Sequence, residues 1–330
     1  MMRRRLRLGM VGGGRGAFIG AVHRIAARLD DRWELVAGAL SSDQERARAS
    51  AADLGIAPDR AYGSYEELAS REAARDDGID AVAIVTPNHM HAGPTVAFLK
   101  AGIHVLCDKP LAATPDQAQA IAEAAAASEA RFVLTHNYTG YPLVRQARGM
   151  VAAGELGEIR LVQAEYAQDW LPGAVEATGN KQAAWRTGPA QAGAGALGDI
   201  GTYAFNLLSF VTGLRPQALL ADLQSFGAGR RVDDNAHVLL RFQGGARGML
   251  WASQVAPGNE NGLRLRVYGT KAGLDWRQED PNAMTLSPLG EPARRITRGG
   301  AGLGAGAGRW TRIPPGHPEG YLEAFATLYS

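Results

Sequence analysis

Residues 6–17 read LRLGMVGGGRGA, a short apolar run that stops in a cluster of glycines. Arg7–Val11 has the pattern of a strand, and Ala21–Leu29 beyond the glycines has the pattern of a helix. Between them, Gly12-Gly13-Gly14-Arg15-Gly16-Ala17 fits G-x-G-x-x-G/A. Glycine there allows a tight turn and lets backbone approach a pyrophosphate, whose charge is attracted by amides at a helix N-terminus. A glycine-rich turn alone is weak evidence. Its position after the first strand of a βαβ pattern gives it weight. Two registers stay open: Ala17 fills the third position, or Gly20 does, after a three-residue insertion following Gly14. In the second register the loop is longer and Arg15 sits over the phosphates.

The pattern continues outward from that turn. Glu34–Leu40 reads as a strand and Gln44–Leu54 as a helix; Ser64 caps a helix over Tyr65–Arg75, with Glu67 as capping-box partner. Asp80–Thr86 (DAVAIVT) is a continuous apolar run, the mark of a strand buried on both faces. A helix to Lys100, a strand His104–Cys107, a helix opened by Thr114-Pro115 and a strand Phe132–Thr135 follow. This alternation predicts an α/β fold with a doubly wound parallel sheet. After Tyr141 the order changes. A helix to Ala153 and the strand Glu158–Tyr166 precede a helix over Asp199–Thr212, and strands follow at 219–225, 237–242, 248–254 and 263–268. That succession predicts a second, α+β domain with an open, mostly antiparallel sheet, and the boundary is set between residues 139 and 140. Residues 299–308 (GGAGLGAGAG) are expected to be a mobile loop. The helical pattern Glu319–Leu328 reaches Ser330 without a stop signal, so a truncated domain is expected.

Composition narrows the class. The chain has 330 residues, 46% hydrophobic and 21% charged, which excludes a disordered or fibrous chain. Its net charge of +2 gives no electrostatic footprint for nucleic acid or an anionic membrane, so neither is an expected partner. The single cysteine, Cys107, makes no internal disulfide and builds no zinc site alone, which points to a reducing, cytoplasmic setting. Arg3, Arg4, Arg5 and Arg7 resemble the start of a signal peptide, but Gly12–Gly14 breaks the apolar stretch behind them.

Four further motifs carry chemistry. At the end of the second strand, where an acid would favour NAD, stand Ser41 and Ser42, with Asp43 and Arg46 beyond. Ser41 and Arg46 together suit a 2′-phosphate; alternatively Ser41 caps the next helix and Arg46 is solvated. Both NAD and NADP stay open, with NADP favoured. Thr86-Pro87-Asn88-His89-Met90-His91 turns the chain at the carboxyl edge of the sheet, where ligands bind in such folds. No Cys, Asp or Glu lies close by to complete a metal set, so no metal is expected, and His91 is assigned to the cofactor pocket or the start of a helix. Cys107-Asp108-Lys109-Pro110 brings an ammonium to the same edge, suited to acidify a hydroxyl or polarise a carbonyl. In Gly198-Asp199-Ile200-Gly201-Thr202-Tyr203, residues Asp199, Thr202, Tyr203 and Asn206 share one helix face.

The glycine turn, TPNHMH, DKPLA and GDIGTYAFN together resemble the glucose–fructose oxidoreductase / inositol dehydrogenase family over essentially the whole chain. The resemblance implies an N-terminal Rossmann domain and a C-terminal α+β domain, with bound NAD(H) or NADP(H), and assembly into dimers or tetramers. It assigns the family's lysine to Lys109 and its aspartate to Asp199. Tyr203 stands where the family's catalytic histidine falls, and branches with tyrosine there use it as the proton donor or acceptor. Asp108 is a variant of the usual Glu. Gly12, Gly14, Arg15, Gly16, Ala17, Ser41, Arg46, Thr86, Asn88, His91 and Lys109 are then expected at the cofactor. Asn137, Trp170, Lys181, Trp185 and Arg186 join Lys109, Asp199 and Tyr203 at the substrate, a sugar, polyol or sugar derivative. The reaction implied is hydride transfer between nicotinamide and a secondary alcohol or ketone. The alternative is a cofactor-binding sensor or regulatory subunit without turnover.

Overall fold

The structure, a computed structural model, describes residues 4–173 and 187–330. Its contacts divide into two units. The first holds the chain to Thr135 together with Leu328–Ser330, and the second runs from His136 to Thr327.

In the first unit, five parallel strands form one sheet in the order β2-β1-β3-β4-β5. They are β1 (Leu6–Gly12), β2 (Trp33–Ala39), β3 (Ala81–Val85), β4 (His104–Cys107) and β5 (Phe132–Leu134). Helices α1 (Phe18–Leu29), α2 (Gln44–Asp53), α3 (Tyr65–Ala73), α4 (Ala92–Lys100) and α5 (Pro115–Ala126) connect them. The chain leaves β1 first to one side, for β2, and then to the other, for β3. That reversal opens a crevice at the carboxyl ends of β1 and β3. The all-apolar β3 is buried along its whole length, each large side chain contributing about 1.5–3 kcal/mol. The caps are those the sequence announces: Ser64 accepts from Glu67 N–H, and Thr114 accepts from Gln117 N–H ahead of Pro115. Glu67 reaches back one residue further than expected, accepting from Gly63 N–H at 3.2 Å. A buried cluster absent from the sequence reading joins Arg60, Tyr62 and Glu72; Tyr62 donates to Glu72 at 2.7 Å. Burial, then Glu72, pushes the Tyr62 phenol up to about 12.

The second unit is built on eight strands in the order β13-β12-β11-β10-β6-β9-β8-β7, antiparallel except for β6 against β9. The first five in sequence are β6 (Ile159–Ala167), β7 (Pro216–Gln224), β8 (Asn235–Phe242), β9 (Arg247–Ser253) and β10 (Gly262–Gly269). Three more, β11 (Ala272–Arg277), β12 (Ala283–Pro288) and β13 (Arg294–Thr297), extend the sheet beyond the sequence reading. Helices α6 (Pro142–Ala152) and α7 (Thr202–Thr212) cover one face, and α7 ends at Gly213 in a left-handed stop. The glycine-rich segment 299–308 is not a free loop. It forms the short helix α8 (Ala305–Gly308), which buries Ala307 against α6, while Gly304 N–H donates to Gln146 at 2.8 Å. Helix α9 (Tyr321–Leu328) closes the unit.

Candidate active site

In the first unit the glycine turn leaves the end of β1 with positive φ at Gly12, Gly13 and Gly16. A Cβ on Gly20 would stand 2.4 Å from the Cα of Gly13, so helix and strand touch through these two glycines. This selects the longer register. Ala17 is the residue before α1 and not the third position of the motif; Gly20 fills that role. A Cβ on Gly14 would meet Leu40 O at 2.7 Å, whereas around Gly16 there is open space. Gly13–Phe18, Arg24, Ser50 and Asp53 are among the residues lining a cleft of about 480 Å³. Gly13 and Gly14 are thus required by the packing of the turn against Val85, Gly20, Leu40 and Ser50, and the open backbone at Gly16 suits the approach of a pyrophosphate group. Arg15 itself lines this cleft. Its guanidinium pairs with Asp53 on the surface at 2.5 Å, because Asp53 ends the facing helix. Arg24, unremarked in the sequence, donates to Gly13 O at 2.7 Å and fixes the turn.

Ser41 follows β2, but it is not the cap of α2. Asp43 is, accepting from Arg46 N–H at 2.7 Å, while Ser41 Oγ accepts from Asp43 N–H. The Arg46 side chain is exposed. Thr86 follows β3, its hydroxyl donating to Met90 O at 3.2 Å, and Asn88 is buried. His91 does not line an open surface: it is fully buried, with Nδ1 2.7 Å from Pro110 O and Nε2 3.0 Å from Thr86 O. It clamps the turn after β3 to the turn after β4. Burial holds its pKa below the ordinary histidine value, against the pull of Asp108 and the two carbonyls. Lys109 is half-buried just past β4.

In the second unit, a π-helical turn over Leu197–Gly201 carries Asp199 into α7. Asp233 holds the start of this element, accepting from Gly195 N–H and Leu197 N–H at 2.8 and 2.7 Å. Gln254 donates to Asp199 Oδ2 at 2.8 Å. Thr202 is spent on Gly198 O within the helix. Tyr203 is 6% exposed and enters an aromatic cluster, its ring centroid 4.7 Å from Tyr138, 5.4 Å from His136 and 6.2 Å from Tyr166. Tyr138 and Tyr166 share a hydrogen bond of 2.7 Å, Tyr166 donates to Asn261 at 2.6 Å, and Gln168 donates to the same amide oxygen at 2.9 Å. Trp170 joins through its Nε1–H, which donates to Gln168 at 3.1 Å. Burial pushes the Tyr138 and Tyr166 phenols up and the Asp199 charge raises them further, so both stay neutral and serve as hydrogen-bonding walls. Asn137 is fully buried, and both atoms of its amide lack a hydrogen-bond partner among the described residues. Lys181, Trp185 and Arg186 lie outside the described residues. Tyr138, Tyr166, Asn261 and Gln254 escaped the sequence reading. Only the tyrosine ending the alternating strand 158–166 gave a signal.

The two halves match known families. "Oxidoreductase family, NAD-binding Rossmann fold" describes residues 6–147, and "GFO/IDH/MocA C-terminal domain" describes residues 144–275. The chain belongs to the GFO/IDH/MocA oxidoreductase family. It is 36% identical over 332 residues to the uncharacterized oxidoreductase YfiI of Bacillus subtilis, covering 98% of this chain and 84% of that one. A crystal structure of an oxidoreductase from Sinorhizobium meliloti is 57% identical with a TM-score of 0.90, over 99% of this chain and 88% of that one. An inositol dehydrogenase homolog from Azotobacter vinelandii, solved with NADH and myo-inositol, is 41% identical with a TM-score of 0.91, over 99% and 84%. This family member is accordingly a dehydrogenase or reductase acting on CH–OH groups. Among the described residues no helix is long and apolar enough to cross a membrane.

Proposed function

We propose that this oxidoreductase transfers hydride between NAD(P)(H) and a secondary alcohol or ketone of a sugar, polyol or sugar derivative. The observation that carries the substrate class is the polar lining around Tyr203. A buried amide with both ends unpartnered costs about 1–3 kcal/mol for each group, and a hydroxyl-rich ligand answers both ends of Asn137 at once. The Azotobacter homolog, with myo-inositol bound, supports the same class.

The residues divide the work by their chemistry. The cofactor, when bound, supplies the hydride acceptor. Tyr203, caged by three rings, takes the hydroxyl proton. The Lys109 ammonium donates to the reacting oxygen and favours its deprotonated form. Asp199, held by Gln254, accepts from a neighbouring hydroxyl and fixes the ring of the substrate. Gly12, Gly14 and Gly16 leave room for the pyrophosphate, while Ser41 and Arg46 face the adenosine ribose, where the exposed guanidinium suits a 2′-phosphate and favours NADP(H). Thr86 and Asn88 border the nicotinamide side. The division of labour assigns cofactor binding to residues 1–139 and substrate binding mainly to residues 140–330, with Lys109 and Asn137 of the first range also meeting the substrate.

The outward face of the second sheet carries the cross-strand row Leu220, Leu239 and Met249 beside the Glu165–Arg266 pair. Leu220 and Leu239 are 69% and 55% exposed, and we assign this face to a second copy of the chain in a two-fold dimer or tetramer. Leu239→Glu should then sediment as a smaller species than the native chain, and a native monomer or an unchanged variant overturns the assignment.

The experiment that tests the reaction follows nicotinamide absorbance over a panel of sugars and polyols with either cofactor. Tyr203→Phe and Lys109→Ala should each lower kcat and kcat/KM about 10²–10⁴-fold while cofactor binding persists. Tyr203→Phe should also abolish the basic limb of the pH–rate profile. Full activity in both variants, or no turnover with any substrate, overturns the reading.

A further inference from the structure

The tyrosine wall beside Tyr203 has a fixed hydrogen-bond direction, set from its far end by Trp170. All of its members lie within the second unit. An indole N–H only donates, so the 3.1 Å bond from Trp170 turns the amide oxygen of Gln168 toward the indole. The Gln168 NH2 then faces Asn261, whose Oδ1 accepts from it at 2.9 Å and from the Tyr166 hydroxyl at 2.6 Å. With its hydrogen engaged by Asn261, Tyr166 can only accept in the 2.7 Å bond between the two phenols, and Tyr138 donates. Asn261 Nδ2 donates to Gln278 Oε1 at 3.0 Å and, more loosely, to the Tyr138 oxygen at 3.4 Å, which closes the circuit. Both hydroxyl rotors are thereby assigned by their partners.

Asn261 is the junction of this circuit, and its own backbone is tied down. Its N–H donates to Glu279 Oε1 at 2.9 Å, and its carbonyl accepts from Leu263 N–H at 2.8 Å. Tyr138 and Tyr166 are 4% and 2% exposed, and burial keeps both phenols protonated. For Tyr138 to give its hydrogen to a ligand it must abandon Tyr166, and for Tyr166 to do so it must abandon Asn261. Either move breaks a bond in a buried site, where an unpaired partner is costly. The neighbouring Asn137 is the opposite case, with both amide atoms unpartnered among the described residues. Of the two wall rings, Tyr138 stands nearer to Tyr203, at 4.7 Å against 6.2 Å for Tyr166.

We propose that Asn261 is a positioning residue that commits the hydroxyl hydrogens of Tyr138 and Tyr166 to the wall and so withholds both phenols from proton transfer. The consequence for catalysis rests on the role given to Tyr203 above; the direction of the circuit does not.

The first test needs no substrate. With tyrosine labelled at ¹³Cζ, a slowly exchanging hydroxyl gives two lines in mixed H2O and D2O, and Tyr138→Phe and Tyr166→Phe assign the resonances. Both should be split in the native chain. Asn261→Leu removes the acceptor and should speed exchange at Tyr166 about tenfold, merging its lines, whereas Asn261→Asp keeps an acceptor oxygen and should restore them. The direction predicts an asymmetry. Tyr166→Phe should merge the Tyr138 lines, while Tyr138→Phe should leave Tyr166 split. Merged lines in the native chain, an unchanged Tyr166 in Asn261→Leu, or the reverse asymmetry overturns the proposal; if Asn261→Leu does not fold, the asymmetry decides. In turnover, Asn261→Leu, Tyr138→Phe and Tyr166→Phe should each lower kcat/KM about tenfold yet keep the basic limb that Tyr203→Phe loses. Loss of that limb in either wall variant overturns the withholding. An enzyme inactive on every sugar overturns the reaction and leaves the circuit standing, and merged native lines do the converse.

Discussion

The glycine turn of the first unit and the tyrosine cluster of the second are built by opposite means. The turn is nine consecutive residues, Gly12–Gly20, whose function lies in what their backbone leaves open. The cluster draws Tyr138 from the segment before α6, Tyr166 from β6, Tyr203 from α7 and Asn261 from the residue before β10. Its function lies in side chains that no stretch of sequence places together. A backbone cradle tolerates change in the surrounding side chains and fails when a Cβ enters. A side-chain cluster depends on whatever anchors its contributing elements, so its weak points lie away from its own residues.

The largest effect is therefore expected at an anchor of the second unit. Arg230 and Asp234 form a pair with no exposed side-chain surface, 2.6 Å apart, and Asp234 also accepts from Phe226 and Gly227 N–H. Its neighbour Asp233 caps the element carrying Asp199, and Gln254 N–H donates to Asp234 O at 2.8 Å. Asp234→Ala leaves a buried guanidinium uncompensated and should cost about 3–5 kcal/mol in denaturant unfolding. Because the damage falls on Gln254 and Asp199, KM for substrate should rise while cofactor affinity holds. If cofactor affinity falls as steeply, the two halves are not separately anchored and the comparison breaks.

The same contrast explains what could be read from the sequence. DAVAIVT, the glycines and DKP are contiguous, and the structure puts each where its pattern says, at the carboxyl ends of β1, β3 and β4. The register of the turn was undecided because only packing shows that Gly20 touches Gly13. Strands β11 to β13 went unread because they are short and carry Gly, Asp, Pro or Arg, their alternation visible only once β10 supplies a partner. Segment 299–308 misled in the other direction. Its glycines suggest freedom, yet Ala307 has a site against α6 and Gly304 an acceptor in Gln146. The Arg15–Asp53 pair was illegible for a similar reason: the two residues are 38 apart in the chain.

A smaller, local effect is expected at the ribose end of the first unit. Arg46 is exposed on the first turn of α2, and its backbone, not its guanidinium, meets Asp43. Arg46→Ala should weaken NADP(H) by about 1.5–3 kcal/mol, the worth of a charge-assisted hydrogen bond, and leave NAD(H) almost unchanged. Titrating both cofactors by fluorescence reads the difference directly. Equal losses would show that Arg46 is ordinary surface and that the enzyme does not prefer NADP(H).

The smallest effect sharpens the contrast by its exception, a long-range anchor in the unit otherwise built from contiguous turns. Asp80, just before β3, accepts from Arg7 N–H at 2.6 Å and from both arms of the Arg4 guanidinium at 2.7 and 2.8 Å. The Arg4 guanidinium foremost, against partial burial and with help from Arg7, holds the Asp80 carboxyl below its ordinary value. The unfolded chain titrates that carboxyl near pH ~3.9, so in the window just below, the unfolded state binds a proton that the folded state refuses. The contribution of Asp80 is therefore fully present above that pH and is lost as the pH falls through the lower, folded value. Asp80→Asn should narrow the stability gap to the native chain in step with acidification: a gap at pH 7, none once the native carboxyl is protonated. Arg4 is solvent-exposed, so salt should shrink the gap at pH 7 as well. A gap that is constant from pH 7 to pH 2, or indifferent to salt, would mean that Asp80 acts through packing and the Arg7 backbone bond alone, and that the first unit has no electrostatic clasp across its chain at this edge.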